Sequence, residues 1–155
     1  MKKLLSILVL AILTSTVAFA QSNKEEIDLY QSIFGGQKKA IVANYLSLEK
    51  NDAFWAIYDQ YETERKVLGQ KRIDLLDSYA KNYEALNDVE TNKIIKDAIT
   101  QKKKLDNLIV KYYKKINKVS GAKVSAQFYQ IENFILSSIR TDVLGDIPFI
   151  GKTDQ

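Results

Sequence analysis

One proline in the whole chain, Pro148, and only six glycines leave long stretches with nothing to interrupt a helix. Proline lacks the amide donor and clashes with the preceding turn, and glycine costs about 1 kcal/mol relative to alanine in a helix interior. Between these breakers the apolar residues recur at three and four positions, the helical period, and no segment alternates convincingly at period two. Gly35-Gly36 separate a short first segment, Gly121 closes a long one, and Gly145 with Pro148 ends the last. The chain is predicted to be all-α.

The spacing predicts a short helix over about Lys24 to Ile33 and another over about Lys38 to Leu46. Ser47 then stands where an N-cap belongs, and a helix is expected from about Leu48 to Leu86. At 1.5 Å per residue it would be about 58 Å long, with Gly69 near its middle as a place to bend. Its inward stripe is Phe54, Tyr58, Tyr61, Arg65, Leu68, Arg72, Leu76 (or Leu75), Tyr79, Tyr83 and Leu86. Asn87 and Glu90 form a capping-box pair that opens the next helix, running to about Val119. Its stripe is Ile94, Ala98, Gln101, Leu105, Leu108, Tyr112, Ile116 and Val119. So short a turn between two long helices makes them antiparallel. A last helix, about Ala122 to Leu144, carries Val124, Phe128, Ile131, Ile135, Ile139 and Val143, and the apolar tail Ile147-Pro148-Phe149-Ile150 is expected to dock on the bundle. The architecture is a long antiparallel helical hairpin with a third long covering helix and a short N-terminal helical segment.

The first twenty residues read as an address. Lys2 and Lys3 precede an apolar run from Leu4 to Leu13, broken only by Ser6, and Ala18-Phe19-Ala20 forms a small-x-small cleavage pattern. That order is a secretory signal, and its apolar core is shorter than the ~20 residues a bilayer span needs. Residues 1–20 are therefore expected to be removed, leaving 21–155 as a single exported, periplasmic domain. With Lys2 and Lys3 gone, the 23 basic residues fall to 21 against 19 acidic, a net charge of +2. So small a balance gives little reason to bind a polyanion.

Cysteine and histidine are both missing from the chain. Their absence excludes disulfides, Cys/His zinc sites, Ser-His-Asp and Cys-His catalysis, and the usual neutral-pH proton shuttle. An all-carboxylate metal site or an acid/base pair of carboxylates stays formally open. Asp and Glu, however, lie on helical faces beside Lys, as in Glu62/Lys66, Asp77/Lys81, Lys93/Asp97 and Lys102/Asp106. Such pairs support solvated helices by ~0.2–0.5 kcal/mol each. The expectation is a protein that is not an enzyme and uses no metal or cofactor.

Two sets of residues stand out as a client-binding surface or a structural seam. Phe54, Trp55, Tyr58 and Tyr61 put four aromatic rings on little more than two helical turns; they fit an aromatic surface for apolar segments, or ordinary core packing. Arg65 and Arg72 fall inside an apolar stripe, where a guanidinium needs solvent, an aromatic face or a carboxylate. Glu132, beside the inward positions Phe128, Ile131 and Ile135, is the expected partner. Lys102-Lys103-Lys104 and Lys111-Tyr112-Tyr113-Lys114-Lys115 look like a basic patch, but on a helix they form a solvated face, with weak attraction to an anionic membrane surface at most.

Leu46-Ser47-Leu48-Glu49-Lys50 resembles a degenerate L-T-x-x-Q signature of the Spy/CpxP family of periplasmic proteins, and Leu86-Asn87-Asp88-Val89-Glu90 is a looser echo. Phe54-Trp55-x-x-Tyr58-x-x-Tyr61 and Gln130-Ile131-Glu132-Asn133, ending at Ile147-Pro148-Phe149, look like a large group of uncharacterised exported helical proteins. The resemblance implies a small exported helical protein, a cradle-shaped homodimer, and action as an ATP-independent chaperone or an envelope-stress partner. It would place Arg65, Arg72 and nearby aromatics on the client-facing side. The function expected is therefore non-enzymatic binding of protein or unfolded polypeptide segments, not nucleic acid. The alternative is a structural or regulatory protein with one dedicated partner.

Overall fold

A computed structural model describes the backbone of residues 24–145 and the side chains of residues 35–141. The expected signal segment and the tail Ile147–Ile150 lie outside the described residues, as does the side chain of Val143. The described part is 93% helical, with three helices and no strand. The chain divides into two units, residues 1–34 and 35–155, and the contacts below all belong to the second.

Helix α1 spans Lys24–Leu46 without interruption, so the two short helices expected around Gly35-Gly36 are one. Glycine lowers helix propensity but keeps both backbone hydrogen-bonding groups, so continuing the helix costs less than leaving those groups unpaired. Ser47 ends α1 rather than opening the next helix. Its φ is 52°, the left-handed region, and its N–H donates to the Ala43 carbonyl at 3.0 Å. The cap falls to Asp52, whose Oδ1 accepts from Phe54 N–H at 2.8 Å, and α2 runs over Ala53–Asn82. At 30 residues it is about 45 Å long, shorter than the sequence suggested. Gly69 lies inside it, within the helix.

A short 3-10 turn, Tyr83–Ala85, leads to the expected capping box. Asn87 Oδ1 accepts from the amides of Val89 and Glu90, each at 3.0 Å, and Glu90 Oε2 accepts from Asn87 N–H at 3.3 Å. Helix α3, Asp88–Gly145, then folds back on itself at Gly121, where φ 82° and ψ 174° are not helical. That conformation is open essentially to glycine alone. Its two arms, 88–120 and 122–145, are antiparallel: Asn117 Nδ2 donates to Ser125 Oγ at 3.1 Å, and the Tyr113 and Tyr129 rings lie 6.2 Å apart.

The first arm is antiparallel to α2, with Lys111 Nζ and the Tyr112 hydroxyl both donating to Glu64. The second arm returns alongside α2, bringing Phe128 to Phe54, Tyr58 and Tyr61 with centroids 6.3, 6.3 and 5.2 Å away. The expected hairpin and covering helix are thus present, and residues 35–46 of α1 cover the other side. The core holds Val42, Leu46, Phe54, Tyr58, Tyr61, Leu108, Ile109, Tyr112, Ile116, Phe128, Ile131 and Ile135. Two predicted inward positions are corrected: Ala98 and Val119 are exposed. Val119 sits two residues before the Gly121 reversal, and no residue of the first arm before Leu108 is buried.

Candidate functional site

Among the described side chains of α1, residues 35–46, three are buried, and one of them is a lysine. Lys38 lies one helical turn before Val42 and two before Leu46, so it faces the core with them. It is fully buried, and its ammonium donates to Glu62 Oε1 of α2 and to Glu132 Oε2 of the second arm, each at 2.6 Å. The Glu132 carboxylate also accepts from the Tyr61 hydroxyl at 2.6 Å and the Tyr58 hydroxyl at 3.3 Å. Arg65, one turn after Glu62, donates through Nε to Glu62 Oε1 and Oε2 at 2.9 and 3.1 Å. Two cations and two carboxylates therefore meet under an aromatic wall, formally neutral as a set.

The electrostatics follow from that packing. Burial alone would raise the Glu62 carboxyl, but Lys38 and Arg65 outweigh it and hold the group below the ordinary carboxylate range. Burial would likewise lower the Arg65 guanidinium, and Glu62 reverses the direction. Tyr58 and Tyr61 are raised far above the ordinary phenol range, first by burial and then by the negative charge of Glu132. Both phenols stay protonated and serve as donors. The Lys38 ammonium also lies 5.1 Å from the Tyr61 ring centroid and 5.8 Å from that of Tyr58, an added cation–π attraction.

The predicted seam residues thus come together, with one exception. Phe54, Trp55, Tyr58, Tyr61, Arg65 and Glu132 are buried in one cluster. Trp55 packs edge-on against Phe54 at 4.9 Å and donates from Nε1 to the Glu49 carbonyl at 2.8 Å. Arg65 bonds Glu62 through Nε and also feels the charge of Glu132, and the ammonium bonded to Glu132 is that of Lys38. Arg72 stands apart, half-buried, its pKa lowered by burial and by the nearby charge of Arg140. Lys38 and Glu62 carry no recognisable motif, though a lysine at an inward position of an apolar stripe is a readable signal.

Between α2 and the first arm of α3 an open groove of about 460 Å³ is lined by Glu64, Val67, Leu68, Lys104, Leu108 and Lys111. The lysine runs are a solvated face as expected, with Lys102 paired to Asp106 at 2.6 Å and Lys111 to Glu64 at 2.7 Å. Lys115 stands 4.6 Å over the Tyr112 ring. Burial and the Glu64 carboxylate push the Tyr112 phenol up to about 12. Among the described residues no group of three or more His, Cys, Asp or Glu side chains is placed to hold a metal ion, and no helix is long and apolar enough to cross a membrane. No family model matches the chain, and no curated protein or solved structure matches it either.

Proposed function

We propose that this chain is an exported, non-enzymatic, protein-binding helical protein that acts as an ATP-independent periplasmic chaperone or envelope-stress partner. One observation carries the reading: the far half of the helical hairpin offers apolar side chains to solvent on both helices. Val67 and Ile73 of α2 and Val89, Ile95 and Ile99 of α3 are exposed, with Val89 at 78%. Apolar side chains exposed along a charged helical frame suit transient contact with apolar polypeptide segments. The alternating charges of those helices keep such a surface in solution. The sequence resemblance to Spy/CpxP-like proteins points the same way, and the export signal supplies the compartment.

The purified mature chain is expected to suppress aggregation of an unfolded model protein without nucleotide. No suppression at several-fold molar excess would overturn the proposal. Cell fractionation with N-terminal sequencing checks the address: a periplasmic protein beginning at Gln21 is expected.

A further inference from the structure

The cover over the aromatic cluster is fastened by charge, and its fastening defines what could take its place. We propose that residues 35–46 of α1 occupy an exchangeable socket, one that also receives a partner segment bearing a lysine or arginine followed by aliphatic residues four and eight positions later. The inference rests on the protein-binding reading above and names a second surface for it.

Three observations lead there. The walls of the socket belong to α2 and the second arm of α3, which pack on each other through Phe54, Tyr58, Tyr61 and Phe128 without using α1. What the covering segment contributes is one ammonium and two aliphatic side chains, Lys38, Val42 and Leu46. Lys39 adds only an exposed pair to Asp59 at 2.5 Å and a cation–π contact with Trp55 at 5.5 Å. The central contact is therefore a buried ion pair, whose attraction is largely offset by the desolvation of its members. Lifting α1 returns water to Lys38, Glu62 and Glu132 together, whereas an aliphatic interface would gain nothing of the kind. The ion pair therefore holds α1 less firmly than its depth of burial suggests.

The exit is equally well placed. α1 ends at Ser47, held at φ 52°, a conformation that non-glycine residues adopt at a cost, so a change of backbone there relieves strain as the segment swings. The surface uncovered is specific. Two carboxylates from different helices, Glu62 and Glu132, converge on the point where the Lys38 ammonium sits, ringed by the Tyr58 and Tyr61 phenols. An acidic or purely apolar segment would leave two buried carboxylates with one cation, Arg65, and Glu132 without its bonded ammonium. A basic residue with aliphatic neighbours one and two turns on reproduces what α1 provides.

The test uses the full mature chain and a fluorescent peptide of residues 36–50. Fluorescence anisotropy is expected to show saturable uptake, and the peptide carrying Lys38→Ala should bind at least ten-fold more weakly. Because the protein has no cysteine, a Lys39→Cys/Asp59→Cys chain can be closed across α1 and α2 with a short bismaleimide. Closure should abolish uptake, while the same chain left open retains it. Equal uptake by closed and open chains, equal binding of both peptides, or no uptake by the wild-type chain would each overturn the proposal. Hydrogen exchange on the unmodified protein gives an independent reading: amides of 37–46 should exchange faster than those of 54–61 and 128–135, and equal protection would count against the socket. Aggregation suppression by the closed chain together with equal peptide uptake by closed and open chains would leave the protein-binding reading intact while removing the socket from it.

Discussion

The two halves of the helical hairpin are built from the same kind of sequence and end in different states. Near Phe54 and Phe128, apolar residues at helical spacing are fully buried, and even Lys38, Glu62, Arg65 and Glu132 are drawn inside. Toward the Asn87 turn the same spacing leaves Leu68, Leu75, Leu76 and Ile94 half-buried, and Tyr79 is the only buried residue of α2 beyond Arg65. In the first half, residues 35–46 of α1 and the second arm of α3 bury side chains against the hairpin; farther along, the described second-arm residues Ile139 and Arg140 are half-buried, with Arg140 near Arg72. Periodicity marks which face a helix turns inward, while burial depends on whether something stands opposite.

That contrast can be broken or sharpened experimentally. The largest effect is expected from Phe128→Ala, which removes a fully buried ring touching three aromatic neighbours. A loss of about 3–5 kcal/mol is expected in urea unfolding, and a loss under about 1 kcal/mol would show that the first half is loosely packed. Next comes pH. Glu62 has its folded pKa depressed, so its contribution is fully present above its ordinary value of 4.5 and is lost as pH falls through the lower folded value. Tyr112 is the opposite case: its folded pKa is raised to about 12 from 10, so its contribution holds below pH 10 and is lost as pH rises toward 12. Thermal unfolding followed by circular dichroism should therefore show a plateau between these limits, with midpoints falling on both sides, and Glu62→Gln should flatten the acid limb. The smallest effect belongs to the distal half, where Ile99→Ser should change stability by no more than about 0.5 kcal/mol. A larger loss would mean that this face is covered in solution.

Much of this architecture was legible because helices announce themselves through spacing and caps. The Asn87/Glu90 capping box was read correctly since it needs only two side chains and the local backbone. Gly121 was read correctly because one residue type alone suits its conformation. Ser47 misled because an oxygen that suits an N-cap says nothing about its own φ, and Asp52, five residues on, supplied the cap instead. The seam residues were legible as a set, since aromatic rings and an arginine on one stripe must share a wall. Their partners were not. The spacing offered Glu132 only the arginines of α2, and the Lys38 ammonium reaches it because of how α1 crosses the bundle, a long-range fact with no local signature.

The reversal at Gly121 has a consequence for how such a chain can change over time. Helical hairpins commonly spend two to five residues on a turn, which leaves slack between the helices. Here a single glycine makes the turn, so the two arms are geared together. Inserting or deleting one residue beside it would rotate the second arm by about 100° relative to the first. Glu132 would swing away from Lys38, and Phe128 from its three rings, in the same movement. Substitutions can accumulate along these helices one at a time; changes of length at the turn would have to come in whole helical turns or not at all.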